Sequence, residues 1–470
     1  MSQPIKKLPI LSAFLIAGFV GLFSETALNM ALGQLTVELG VEHTTIQWLT
    51  TGFLLTLGIL VPISGLLIQK FTTRQLFLTS LTFSIVGTII AGLAPTFAFL
   101  LMARIVQAVG TAILLPLMFN TVLLIFPVEK RGSAMGIMGL VIMFAPAISP
   151  TVSGIILEYL TWHWIFWTTL PFLVFALVFG YFYMQNVNEL THPKIDVLSV
   201  LFSSIGFGGI VYGFSVAGEN GWGSTIVIVA LAAGIIGLAL FTWRQLNMEK
   251  PMINLAVLKY PMFVLGLIAV FIAFMCILST MILLPLYLQT GLALATFTAG
   301  LVLLPGGVIN GIFSPIVGKL FDDYGAKVLV MPGFILIGIA FVFFMQIDQQ
   351  TSQLTIIVLH SVMMIGVSLV MAPAQTNGLN QLPRHLYPDG TALMNTLQQV
   401  SGAIGTAVAI TIMSTAQTSF MKEEGTTIPS IDSFIYGVQT SFKYAIALAV
   451  VGLILSFFIK GKKQTINSKN

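Results

Sequence analysis

Of the 16 Asp and Glu residues in this chain, Glu25 is the one that lies well inside a membrane-length apolar segment. The other acids fall in loops or within about a turn of a segment end. A carboxylate in hydrocarbon costs on the order of several kcal/mol unless it is paired, protonated or turned toward a water-filled cavity. The default reading of such a residue is therefore an ion or proton relay. Arg104 is the matching cation. Glu25 lies about seven residues from the outer end of its segment, and Arg104 about seven residues from the outer start of a segment running the other way. At about 1.5 Å per residue both sit roughly 10 Å below the same boundary. Equal depth permits a direct or water-bridged interaction. Burial favours the protonated form of a carboxylate and an approaching guanidinium disfavours it, so a changing distance between the two makes a proton switch. A fixed structural pair is the plainer alternative.

Other polar residues inside apolar segments rank below this pair. Asn29 and Gln107 lie about one helical turn from Glu25 and Arg104 and are candidates to line a substrate cavity. His360 is a third candidate, although a lone histidine on an apolar helix more often serves packing. Lys443 lies close enough to a segment end to snorkel outward. Pro146, Pro150 and Gly154 recur every four residues and share one helix face. They suit a bent, closely packed seam that resists proton leak, and equally suit ordinary packing of small residues between membrane helices. The single cysteine, Cys276, can form no intrachain disulfide and reads as packing. The sequence has no metal-ligand spacing and no G-x-x-x-x-G-K-S/T phosphate loop. No cofactor is expected, and the energy source would be a proton gradient.

These residues sit in a chain that is 57% hydrophobic and 8% charged, a balance foreign to soluble domains. Crossing roughly 30 Å of hydrocarbon takes about 20 apolar residues in a helix. Spans are expected near 9–32, 46–68, 76–94, 97–121, 133–158, 163–185, 197–217, 224–243, 261–288, 296–318, 328–346, 353–373, 390–414 and 439–459, fourteen in all. Lysine and arginine in the loops set the orientation. Seventeen fall on one side, from Lys6 and Lys7 through Lys70, Arg74, Lys194, Lys250 and Arg384 to Lys462, Lys463 and Lys469. Lys422 is the clear exception, which places both termini in the cytoplasm of a multi-pass cell membrane protein. The basic residues are scattered, so a pI near 9.0 does not imply a nucleic-acid partner.

Two internal echoes organise the spans. The stretch 318–327, GKLFDDYGAK, follows the tenth span. Its degraded copy 65–74, GLLIQKFTTR, follows the second, 253 residues earlier. The stretch 127–135, PVEKRGSAM, precedes span five, and 388–394, PDGTALM, precedes span thirteen at nearly the same offset. Spans 1–6 thus correspond to spans 9–14, with spans 7 and 8 inserted between the halves. The expected domains are residues 1–190, 191–255 and 256–470. Two related halves with a binding site between them at mid-membrane form a transporter architecture.

On these motifs the chain resembles the major facilitator superfamily, in its fourteen-helix drug:proton antiporter branch, over residues 9–460. The loop at 318–327 is similar to the family signature G-x-L-x-D-R-x-G-R-K through Gly318, Asp322, Gly325 and Lys327. The first copy keeps Gly65, Lys70 and Arg74 but has Gln69 where the family has its Asp. SETALNMAL (24–32) is similar to the branch's first-helix motif, with Glu25 for the commoner Asp. RIVQAVG (104–110) is similar to the fourth-helix motif, and FAPAISPTVSG (144–154) to the fifth-helix antiporter signature. WHWIFW (162–167) resembles the run that opens helix six.

The resemblance implies an all-α integral membrane fold of two six-helix halves plus an inserted pair. It further implies proton-coupled export of lipophilic or amphipathic compounds such as drugs, antibiotics or dyes, by a protein functional as a monomer among membrane lipids. Glu25 would take a proton from outside and release it inside, in competition with substrate. Export of a lipid, a bile-like acid or a native metabolite fits the same scaffold. A membrane-embedded enzyme is a more remote reading, because only one deep acid and one deep base are available.

Overall fold

The computed structural model describes residues 7–460 apart from 189, 192–195, 250, 426–427 and 429. Lys6, Lys194, Lys250, Lys462, Lys463 and Lys469, used above for orientation, lie outside the described residues. Among the described residues the fold is all-helical, with fourteen helices long and apolar enough to cross a membrane. In chain order these are α1 (Lys7–Ala27), α2 (Trp48–Lys70), α3 (Thr73–Gly92), α4 (Phe97–Ile125) and α5 (Arg131–Tyr159). They continue with α6 (His163–Tyr183), α7 (Val197–Asn220), α8 (Thr225–Asn247), α9 (Pro261–Leu286) and α10 (Thr296–Tyr324). The last four are α11 (Lys327–Phe344), α12 (Gln353–Asn380), α13 (Tyr387–Glu423) and α14 (Ile431–Ser456).

Several ends depart from the expected spans, α14 for instance starting at Ile431 and not 439. The first span does not stop at residue 32. After α1 the chain tightens into a 3₁₀ turn, Leu28–Ala31, and runs on as a helix over Leu32–Glu38. Helix α13 has 37 residues, starting before and ending well after the expected 390–414. Hydropathy reports where the chain leaves hydrocarbon, whereas a helix continues wherever its backbone hydrogen bonds continue. Side-chain caps mark other starts: Thr72 accepts from the Gln75 N–H at α3, and Ser352 from the Thr355 N–H at α12.

Helices α1 to α6 pack among themselves, as do α9 to α14, and two long seams join the groups: α5 against α10 and α2 against α13. The α5–α10 seam is built from small residues. Gly136 lies against Pro315 and Gly318, Gly139 against Ser314, and Ala147 against Gly307, leaving no room for side chains. Without a hydrophobic drive between helices in lipid, such close approach is what holds them. The inserted helices α7 and α8 pack together through Gly206, Gly209 and Gly234, and α7 touches both α2 and α13. Asp196 caps α7 through the Ser199 N–H and pairs with Arg244 of α8 at 2.5 and 2.8 Å. These hydrogen bonds from Arg244, helped by those from Ser199, hold the Asp196 carboxyl well below the usual carboxylate range.

Candidate transport site

Arg104 and Glu25 do come together, though not as a carboxylate–guanidinium pair. The Arg104 guanidinium donates to the backbone carbonyls of Ser24 at 2.8 Å and Glu25 at 3.0 Å. It also donates to the Gln107 side-chain oxygen at 3.1 Å and lies over the Phe53 ring, 4.3 Å from its centroid. The reason is local. Where α1 tightens into the 3₁₀ turn, the carbonyls of its last turn lose their regular partners, and a buried carbonyl must be satisfied. Arg104 of α4 supplies the donors, and the negative end of the α1 dipole offsets its charge. Among the described residues the one ion pair is Asp196–Arg244. No hydrogen bond or ion pair among them engages the Glu25 carboxylate, which stands half-buried beside a cation already committed to backbone.

The other expected residues are placed as follows. Gln107 is buried and spends its amide on Arg104 and on Thr88 of α3 at 2.9 Å, tying α4 to α3. Asn29 is exposed and accepts from Thr50 of α2 at 2.8 Å. His360 is buried on α12 against Gly306 of α10, and its Nδ1 has no partner. Helix α5 runs unbroken through Pro146 and Pro150. Its Pro150 and Gly154 face Gly300 and Phe297 of α10, so this stretch belongs to the seam between the groups.

An interior cavity of about 40 Å³ lies between the two groups, bordered by α4, α5, α9, α10, α12 and α13. Its polar border is Asn310, Ser314, Ser368, Gln375 and Gln398. Facing these are apolar side chains, among them Phe119, Met135, Met143, Phe274 and Met371. Asn29, Gln107 and His360 do not border it. The sequence reading missed all five polar residues. The available signal was polar side chains recurring at helical spacing within apolar spans: Asn310 and Ser314 four apart, and Ser368 and Gln375 seven apart. The volume holds a few waters at most, whereas a drug-sized ligand needs roughly 300–1,000 Å³. The two groups must part before such a ligand can enter.

The end of the bundle that carries most of the basic residues is closed by named contacts. Asp322, at the end of α10, accepts from the Gly132 N–H at 2.7 Å and the Ser133 N–H at 2.8 Å, at the start of α5. It also accepts from the Ser133 hydroxyl at 2.5 Å. Gly318 lies against Gly136 across the seam, and Gly325, with a φ of +80°, ends α10 in a conformation that favours glycine. Arg131, in the loop that hydropathy places before span five, is buried here. It donates to Asn380 at 2.8 Å and to the Tyr387 hydroxyl at 3.0 Å, joining α5 to the ends of α12 and α13. On the second seam Gly65 packs against Ala392 and Pro388, and Gln69 donates to Asp389 at 3.4 Å. Of the remaining loop residues, Arg74 bonds the Tyr181 carbonyl, Lys70 stands over Phe71, and Lys327 opens α11.

A bundle of fourteen membrane-length helices with two related seams around a central cavity is the layout of a secondary transporter. The sequence agrees: residues 14–406 match the family model "Major Facilitator Superfamily", and the chain belongs to that family. Among curated relatives, it is 65% identical over 463 residues to the lincomycin resistance protein LmrB of Listeria innocua serovar 6a, covering 98% of each chain. It is 61% identical over 467 residues to LmrB of Bacillus subtilis (strain 168), again covering 98% of each. The multidrug export protein EmrB of Haemophilus influenzae is 26% identical over 400 residues, 84% of this chain and 78% of that protein. Among solved structures, the human organic anion transporter MFSD10 superposes with a TM-score of 0.68 at 12% identity, over 97% of this chain and all of that one. That likeness is one of fold.

Proposed function

We propose that this protein exports amphipathic compounds, drugs among them, across a bacterial cell membrane in exchange for protons, with lincomycin the first substrate to test. The observation that carries the coupling half of this reading is the Glu25 carboxylate. It lies within a membrane span, has no partner among the described residues, and sits beside an arginine whose donors are taken by backbone carbonyls. A buried acid that is not locked in an ion pair remains able to take up and give up a proton as its access to water changes. The strong identity to proteins named for lincomycin resistance supports a drug as cargo.

In this reading the basic end is cytoplasmic, by the rule that lysine and arginine stay inside. Both termini then lie in the cytoplasm, and the closed contacts at Asp322, Arg131 and Gln69 form the inner gate. Substrate enters from the cytoplasm when that gate opens. Proton binding at Glu25 from the outside returns the carrier. The protein works as a monomer in lipid, without a cofactor, on the proton gradient alone.

The experiment is lincomycin transport in reconstituted vesicles with an imposed pH gradient. Glu25→Gln keeps the fold, because a neutral amide replaces a buried charge, and should abolish gradient-driven transport while exchange of labelled for unlabelled substrate survives. Robust gradient-driven transport by Glu25→Gln would sink the coupling role. Absence of any transport by the unaltered protein would sink lincomycin as the cargo.

A further inference from the structure

The central cavity carries a chemical signature of its own. Asn310, 1% exposed, donates through Nδ2 to the Met364 carbonyl at 2.8 Å. That bond fixes which end of the amide is oxygen, and Oδ1 is left as a buried acceptor without a partner. Gln375, 5% exposed, has the complementary defect: its Nε2 is a buried donor without a partner. Both residues border the same cavity. Most buried polar atoms in a protein are paired, and each exception asks for an explanation. Here one acceptor and one donor are unsatisfied at one site, opposite a wall of Phe119, Met135 and Met143. Among the described residues no charged side chain borders the cavity.

We infer that Asn310 and Gln375 form the polar seat for substrate, and that this seat takes an uncharged group carrying a donor beside an acceptor, an amide or a pair of hydroxyls. The apolar body of the ligand lies on the phenylalanine and methionine wall. A cationic head would lose its hydration here with no counter-charge to replace it, which is unfavourable. Glu25 does not border the cavity. Proton site and substrate seat are therefore different places, coupled through the seams and not through a shared carboxylate. This inference rests on the reading of the chain as an exporter and names the chemistry that the exporter selects.

Two probes test it by direct binding to the purified protein. Chloramphenicol is uncharged and carries an amide and hydroxyl groups. Tetraphenylphosphonium is a permanent cation with no hydrogen-bonding group. The protein should bind chloramphenicol, and Asn310→Leu and Gln375→Met should each weaken that binding roughly tenfold or more. Tetraphenylphosphonium should bind weakly and be indifferent to both seat variants. Asn310 also holds Met364, so its variant can perturb packing. No hydrogen bond of the Gln375 side chain is recorded among the described residues, and Gln375→Met carries the test alone if Asn310→Leu misfolds. The seat is overturned if chloramphenicol does not bind, if Gln375→Met binds it as tightly as the unaltered protein, or if tetraphenylphosphonium binding falls in the same variants. Failure of proton-driven lincomycin transport with chloramphenicol binding intact would fault the export reading and leave the seat standing.

Discussion

The two seams between the helix groups are built from corresponding pieces of the repeat, yet they are fastened differently at the basic end. Helix α10 ends in Asp322, whose carboxylate takes two backbone N–H groups and a hydroxyl from the first turn of α5, at 2.7, 2.8 and 2.5 Å. Helix α2 ends in Gln69, which reaches α13 through one 3.4 Å hydrogen bond to Asp389. The acid has changed sides. On one seam it projects from the end of one helix onto the start of its neighbour. On the other it belongs to the first turn of the receiving helix, where it suits its own helix dipole. Charge-assisted bonds to a helix N-terminus are roughly twice as strong as neutral ones, so the α5–α10 fastening is firm and the α2–α13 fastening is soft.

The soft seam has support that the firm one lacks. Helix α7 lies on both α2 and α13. Trp222, between α7 and α8, donates to Thr411 of α13 at 2.6 Å, and the Asn254 N–H, just past α8, donates to Asp389 at 3.0 Å. The inserted pair is thus fastened to α13 at both ends. A soft latch backed by an extra helix pair can open without the two groups separating altogether. The comparison shows that the single Gln69–Asp389 contact on this seam is joined by two hydrogen bonds from residues flanking α7 and α8.

The largest test of this contrast is Asp322→Asn. Losing the charge on this part-buried set of three hydrogen bonds should cost the closed state about 3 kcal/mol. That shifts the closed–open balance by about two orders of magnitude. Spin-label distances between the ends of α5 and α10 should broaden and transport should fall at least tenfold (about). A loss no greater than that of Gln69→Ala would erase the difference between the seams.

Gln69→Asp is expected to come next. It sets two carboxylates face to face at the soft latch, and like charges in close contact repel. Transport should drop about tenfold, against about twofold for Gln69→Ala, on the usual scale of a buried unpaired charge versus a lost hydrogen bond. Asp389→Asn in the same chain should restore most of the Gln69→Asp loss. Without that rescue, the Gln69–Asp389 contact is not what the substitution breaks.

The smallest effect concerns how the inserted pair is tied together. Asp196→Ala should leave transport unchanged and lower the melting temperature by about 2–4 °C, since it removes a part-buried ion pair together with the α7 N-cap. Because Arg244 depresses the folded-state pKa of Asp196, the stability it adds is complete above the ordinary aspartate value, roughly 3.9. It is lost only as pH falls below that value. The cost of the substitution should therefore be equal at pH 6 and pH 8. A cost that changes between those two values would mean another group titrates with the pair.

Much of this could be read along the chain. The number of spans and most of their bounds follow from hydropathy. Each of these is set by one segment meeting water or lipid, so a one-dimensional pattern suffices. What only the tertiary structure decided is who partners whom. Arg104 reaches Glu25, but it bonds the carbonyls that a 3₁₀ turn frees, a detail of backbone geometry that hydropathy does not carry. Gln107 looked like cavity lining and is held by Arg104 and Thr88. Asn310 and Gln375, unremarked as single polar residues on long apolar helices, become a site because folding brings α10 and α12 to one cavity and leaves one acceptor and one donor there unpaired. The substitution of Gln69 for the family Asp was visible at once, while its consequence depended on Asp389, 320 residues away and brought alongside by the fold. Satisfaction of a buried polar atom is a property of its three-dimensional surroundings, which no one-dimensional pattern carries.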